Sequence, residues 1–142
     1  MYTWGLSFIK KLTHLAFSMF IGAIAWKYFS TPSYGIVFIV TGSMIPDLDI
    51  FFPRYHRKML HNLFALVGMA TLLFLLSSNF FLAQDFAIGC LGHFLLDSLT
   101  EKGVWWLGFG GRIHGSLRTG GFLDRCFFLC FLALTLAIAV IQ

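Results

Sequence analysis

Apolar residues fall into five runs separated by short polar breaks. The first runs from Leu12 to about Phe29 and stops at Ser30, Thr31 and Pro32, where turn chemistry and a missing amide donor end a helix. The second, Tyr34 to Ile45, ends at Pro46 and is too short to cross a bilayer alone. Its continuation, Asp47 to Phe52, is therefore expected at the membrane edge or in a cavity, because irregular backbone is not tolerated against lipid. A third run resumes at Met59 and continues past Leu76 to a turn at Ser77, Ser78 and Asn79. The fourth, from about Phe80 to Leu99, forms a hairpin with it. A glycine-rich polar segment, Gly103 to Gly121, reads as a flexible loop, and Phe122 to Ile141 makes a clean fifth run. The pattern predicts an all-α, polytopic membrane protein of about five transmembrane or half-embedded helices, in a single integral membrane domain, 1–142.

Composition agrees. Hydrophobic residues make up 58% of the 142 and charged residues 11%, whereas a soluble domain carries roughly 25% charged residues. Ten Lys and Arg against six Asp and Glu would suit nucleic acid if they formed one stripe. They lie instead in short segments between apolar runs, so no nucleic-acid partner is expected and the basic residues read as topology signals. Five spans place Lys10, Lys11, Arg54, Arg57, Lys58, Lys102, Arg112, Arg118 and Arg125 on one side and leave Lys27 for the other. The amino end is then cytoplasmic and the carboxyl end outside, in a multi-pass protein of the inner (plasma) membrane. Lys10 and Lys11 precede the first run as in a signal peptide, but no convincing cleavage site follows and the run reads as a retained span. Cys90, Cys126 and Cys130 lie in apolar stretches without a CxxC, which argues for buried thiols rather than disulfides or a zinc finger.

The same topology sorts the polar residues. His14, Asp47, Asp49, His56, His61, His93, Asp97, Glu101, His114 and Asp124 all fall at the cytoplasmic ends of spans, and Asp85 alone lies opposite. Ionisable groups in membrane segments are costly and mark sites or pair with one another. His93 and Asp97 are four apart on a helix and share a face; a structural histidine with a capping aspartate would have the same spacing. Asp47 and Asp49, one residue apart after a helix-ending proline, offer oxygen ligands to a cation, or else form a polar turn at the lipid boundary. His56 and His61 flank Arg57 and Lys58, where an interfacial anchor is the plain alternative. Taken as a set, four histidines and three aspartates from four helix ends make a mixed nitrogen and oxygen site suited to zinc first and manganese second. Trp105 and Trp106 read as an interfacial belt.

The blocks THLAF, GSMIPDLDIFF, HRKMLHN and GHFLLDSLTEKGVW, spread from Thr13 to Trp106, resemble the YdjM-like group of inner-membrane proteins, described as membrane-bound metal-dependent hydrolases and in one case linked to binding the LexA repressor. The resemblance implies His14, Asp47, Asp49, His56, His61, His93 and Asp97 as the polar signature. A fainter likeness is to the all-helical zinc-dependent phospholipase C and nuclease fold, whose order of ligands His14, Asp47, His61, His93 and Asp97 follow. The chain lacks that fold's second downstream HxxxE or HxxxD pair and its N-terminal tryptophan ligand, so one or two metals are expected rather than three.

The expected function is that of a metal-dependent hydrolase, a phosphoesterase where the ester is a phosphate, whose site opens at the cytoplasmic membrane face toward a lipid-linked or phosphate-containing ester. The metal ligands are His14, Asp47, Asp49, His61, His93 and Asp97. Asp49, His56 or Glu101 serves as base or proton shuttle, and Arg57, Arg112 and His114 contact substrate. Two alternatives use the same residues: a membrane metal-ion carrier or sensor, and a non-catalytic scaffold that binds a cytoplasmic partner.

Overall fold

The computed structural model describes the backbone of residues 4–51, 60–107 and 109–141 and, except at 4–10 and 49–51, their side chains. Five α-helices run in chain order: α1 (Trp4–Phe29), α2 (Ser33–Met44), α3 (Leu63–Ser77), α4 (Phe80–Ser98) and α5 (Phe122–Val140), with a 3₁₀ turn, Ile45–Phe51, continuing α2. The regular secondary structure of the described residues is helical, with two isolated bridges between Thr100 and Leu117 and between Val104 and Ile113. α4 and α5 are each long and apolar enough to cross a membrane. α2, with 12 residues, and α3, with 15, fall short of the roughly 20 that a perpendicular crossing needs.

The helix ends follow local chemistry. Ser30 and Ser78 take up left-handed backbone, with φ of 55° and 51°, and end α1 and α3. Asn79 then caps α4 by accepting from the Phe81 and Leu82 amides. Asn62 caps α3 in the same way, accepting from the Ala65 amide at 2.9 Å. The third helix therefore starts at Leu63, not at Met59, and His61 stands just outside it. An amide side chain that satisfies an orphan N–H outweighs the hydrophobicity of the residues before it.

α2 and α4 run parallel at backbone contact distance, with α3 returning the chain between them. A Cβ on Gly42 would lie 2.1 Å from the Phe86 carbonyl oxygen, and one on Gly89 would lie 2.0 Å from that of Ile39. In lipid, where the hydrophobic effect does not drive helices together, such small-residue contacts carry the packing. The Cys90 thiol donates to the Gly42 carbonyl at 3.1 Å and closes this seam. α1 covers α2 and α4 through Gly22 and Gly92, which Ile36, Phe17 and Ile21 approach. α5 lies parallel to α1. At one end Asp124 accepts from the Thr13 hydroxyl and the Gly120 amide, both at 2.7 Å, and at the other Lys27 donates to the Ile141 carbonyl at 3.1 Å.

α5 has no buried residue, so Cys126 and Cys130 are exposed rather than buried as their apolar context suggests. Residues such as Leu76, Phe81, Phe122 and Val140 are exposed as well. A water-soluble protein does not leave so much large apolar surface open, and lipid is the solvent that such a surface fits.

The segment after α4 is not the loose loop its glycines suggest. Val104 and Ile113 exchange two backbone hydrogen bonds, at 2.9 and 3.0 Å, and Leu117 donates to Leu99 at 3.0 Å. Gly103, at φ 57°, permits the tight return, since a Cβ there would meet the Ile113 carbonyl oxygen at 2.3 Å. The Leu63 amide, left open by the start of α3, donates to the Trp106 carbonyl at 2.7 Å. The segment forms a strap across one end of the bundle. Trp106 packs edge-on against Phe94, at 6.4 Å between ring centres, with its indole Nε1 buried.

Candidate metal centre

Four segments deliver their polar side chains to the end of the bundle under the strap. α1 contributes His14, the 3₁₀ turn Asp47, the residue before the α3 cap His61, and the last turns of α4 His93 and Asp97. His61, His93 and Asp97 are fully buried, His14 is 2% exposed and Asp47 8%. His61 Nε2 lies 3.0 Å from His93 Nε2. Asp47 Oδ1 lies 3.7 Å from the first and 3.8 Å from the second, and Asp97 Oδ2 lies 3.5 and 3.7 Å from the same two atoms. An ion bound tetrahedrally with bonds of about 2.0 to 2.2 Å spaces its ligand atoms about 3.3 to 3.6 Å apart. The observed separations bracket that range, and two buried triads that share His93 each bring their ligand atoms within 4.8 Å of one another, Asp47 with His61 and His93, and His14 with His93 and Asp97, so each could hold a cation.

The surroundings prepare these atoms for that role. His93 Nδ1 donates to the Ser43 carbonyl at 2.7 Å, one of the carbonyls that the end of α2 leaves without an intrahelical partner. That bond puts the proton on Nδ1 and the lone pair on Nε2, the tautomer a metal ligand needs. His14 Nε2 faces the other oxygen of Asp97, Oδ1, at 3.2 Å, and its ring stacks on His93 at 4.1 Å and 19°. Charge balance points the same way. Two buried carboxylates need compensation. His61 and His93 cannot both provide it as imidazolium ions, because two Nε2 protons would then be opposed across 3.0 Å. A divalent cation held by the cluster would balance both carboxylates.

The other residues singled out by sequence are placed elsewhere. Glu101 pairs with Arg118 at 3.5 Å on the exposed strap, away from the buried cluster. Arg112 is exposed, donates to the Lys102 carbonyl and lies over the Trp105 ring. His114 is exposed on the same strap. His56 and Arg57 lie outside the described residues, as does the side chain of Asp49, whose backbone belongs to the 3₁₀ turn with Asp47. Asp85 is buried at the opposite end, beside Gly35. Two contributors escaped sequence reading. Ser43 acts through its carbonyl, which no side-chain pattern advertises. Asn62 carries a legible signal, a capping residue followed by an apolar run.

A family model described as YdjM inner membrane protein matches residues 9–108, which contain every residue of the cluster. The chain belongs to this family. The family's inner-membrane description and the two long apolar helices together assign the protein to the membrane. Comparison with curated proteins and with solved structures gives no match.

Proposed function

We propose that this member of the YdjM family is a membrane-bound hydrolase that works with a divalent cation, zinc or manganese, held by Asp47, His61, His93 and Asp97. The observation that carries the reading is that buried ligand atoms from three segments, those of Asp47, His61 and the α4 residue Asp97, lie within 3.8 Å of His93 Nε2, with the His93 tautomer already set by Ser43. A bound cation supplies Lewis acidity, lowering the pKa of water and polarising a phosphoryl or acyl oxygen. The protein's own part is to hold and orient. Asp97 spans the centre and His14, Ser43 fixes His93, and the strap closes the end of the bundle through Trp106 and Leu63. Asp49 and His56, on the stretch of chain between Asp47 and His61, are the proposed proton acceptors. Among the described residues the buried histidines and carboxylates gather at one end, with Asp85 at the other, and this asymmetry favours an enzyme over a carrier, which needs access from both sides.

Purified protein should release a headgroup or phosphate from members of a panel of phospholipids and polyprenyl phosphates. Release should stop with a chelator and in Asp97→Asn. Metal uptake into proteoliposomes with no turnover on the panel would instead support the carrier. The centre is proposed to face the cytoplasm, with about five transmembrane or half-embedded helices and a cytoplasmic amino end. A reporter inserted at His114 should then score as cytoplasmic and one fused after Ile141 as external, whereas two cytoplasmic scores would overturn that topology.

A further inference from the structure

A cavity of about 30 Å³ lies between α1, α4, the strap and the start of α5. His14 is the residue it shares with the buried cluster. His14 lines the cavity, touches Asp97 through Nε2, and has a buried Nδ1 with no partner in the protein. Leu96, Leu117 and Phe127 form an apolar side of the cavity; of its charged lining, the Asp124 carboxylate is taken up by the Thr13 hydroxyl and the Gly120 amide, and Arg118 has a side chain 83% exposed. The Arg118 pair with Glu101 is long, at 3.5 Å, and solvent-exposed. Such a pair contributes little, so the guanidinium exchanges it readily for a phosphate, which it can hold through two parallel hydrogen bonds.

We propose that this cavity is the entrance to the centre and receives the phosphate of a membrane phosphomonoester, with Arg118 holding the anion and the acyl chain lying along the Phe127 side of α5. The inference rests on the hydrolase reading and deepens it by naming a substrate class and a way in. The cavity has about the volume one water occupies in the liquid, so one terminal oxygen enters, as the hydroxyl of a monoprotonated phosphate that donates to His14 Nδ1, while the rest of the headgroup stays at the mouth. α5 supplies the route, because it is an apolar helix with nothing buried and ends beside the mouth at Asp124 and Phe127. The wall from Leu117 to Phe127 lies beyond the stretch the family model matches, 9–108. The ligands thus belong to the family pattern, and the entrance is completed by the chain that follows it.

The test uses the full chain in mild detergent, with Cys126→Ser and Cys130→Ser removing the exposed thiols and Leu117→Cys as reporter. Thr119→Cys serves as a second reporter in case the first misfolds. Maleimide labelling is timed with dioctanoyl phosphatidic acid, with dioctanoyl phosphatidylcholine and with inorganic phosphate. At about ten times its Kd, phosphatidic acid should slow labelling about tenfold, by occupancy alone. Adding Arg118→Gln should raise the concentration for half-protection about tenfold or more, through loss of the charge-assisted pair, with metal content unchanged. Equal protection by phosphatidylcholine would overturn recognition of the anion. Equal protection by inorganic phosphate would overturn the lipid source. No protection at either reporter would overturn the entrance itself. Labelling is read without turnover, so a failed entrance shows in protection and a failed hydrolase reading shows in metal content and activity.

Discussion

Replacing His93 with alanine should weaken binding of zinc or manganese by roughly 100-fold or more, measured by equilibrium dialysis of the detergent-purified protein. His93 supplies one of the four converging atoms and touches every other part of the cluster: Nε2 faces His61, Asp47 and Asp97, Nδ1 is fixed by Ser43, and the ring carries the stack with His14. His14 shares a candidate triad with His93 and Asp97 but is not among the four proposed ligands, so His14→Ala removes a group that orients Asp97 through Oδ1. Loss of such a supporting contact commonly costs about 10 to 100-fold, so the two variants should rank in that order. Equal and small effects would mean that His93 is no ligand, and that the cluster is a set of structural pairs.

Gly89→Leu should have the largest effect on folding. Its Cβ would sit 2.0 Å from the Ile39 carbonyl oxygen and 2.9 Å from the Ser43 amide nitrogen, and backbone cannot turn aside as a side-chain tip can. The cost should exceed the about 1 to 3 kcal/mol of an ordinary overpacked site, because α2 must leave α4 and take Ser43 and Asp47 with it. Size-exclusion profiles in detergent and thermal melts read the outcome. Gly68→Leu is the control, since a Cβ there has nothing within 4 Å. A Gly89→Leu protein that is as monodisperse and heat-stable as Gly68→Leu would contradict the packing of α2 on α4.

The hydrophobic runs made the helices legible, to within a few residues at most ends. Pro46 made the irregular turn after α2 legible too, since a missing amide and a short apolar run leave few alternatives. The cluster was half legible. His93 and Asp97 announce themselves by spacing, and Asp47 by its proline, but that His14 and His61 meet them depends on the packing of α1 at Gly22 and Gly92 and on the Leu63–Trp106 bond at the start of α3, which spacing within one helix does not encode. The strap was misjudged because glycine permits both a loose loop and a tight return. Gly103 selects the second by its close approach to Ile113, a contact ten residues away in the chain. Arg118 looked like one more topology charge, because only the fold sets it beside His14.

The central claim is that Asp47, His61, His93 and Asp97 hold a divalent cation. Elemental analysis of the protein purified in mild detergent, before and after dialysis against zinc or manganese, tests it most directly. The account predicts at least one equivalent of transition metal per chain in the wild type and its loss on replacing any one of the four residues with alanine. Wild-type protein that purifies without transition metal and gains none on dialysis would contradict it.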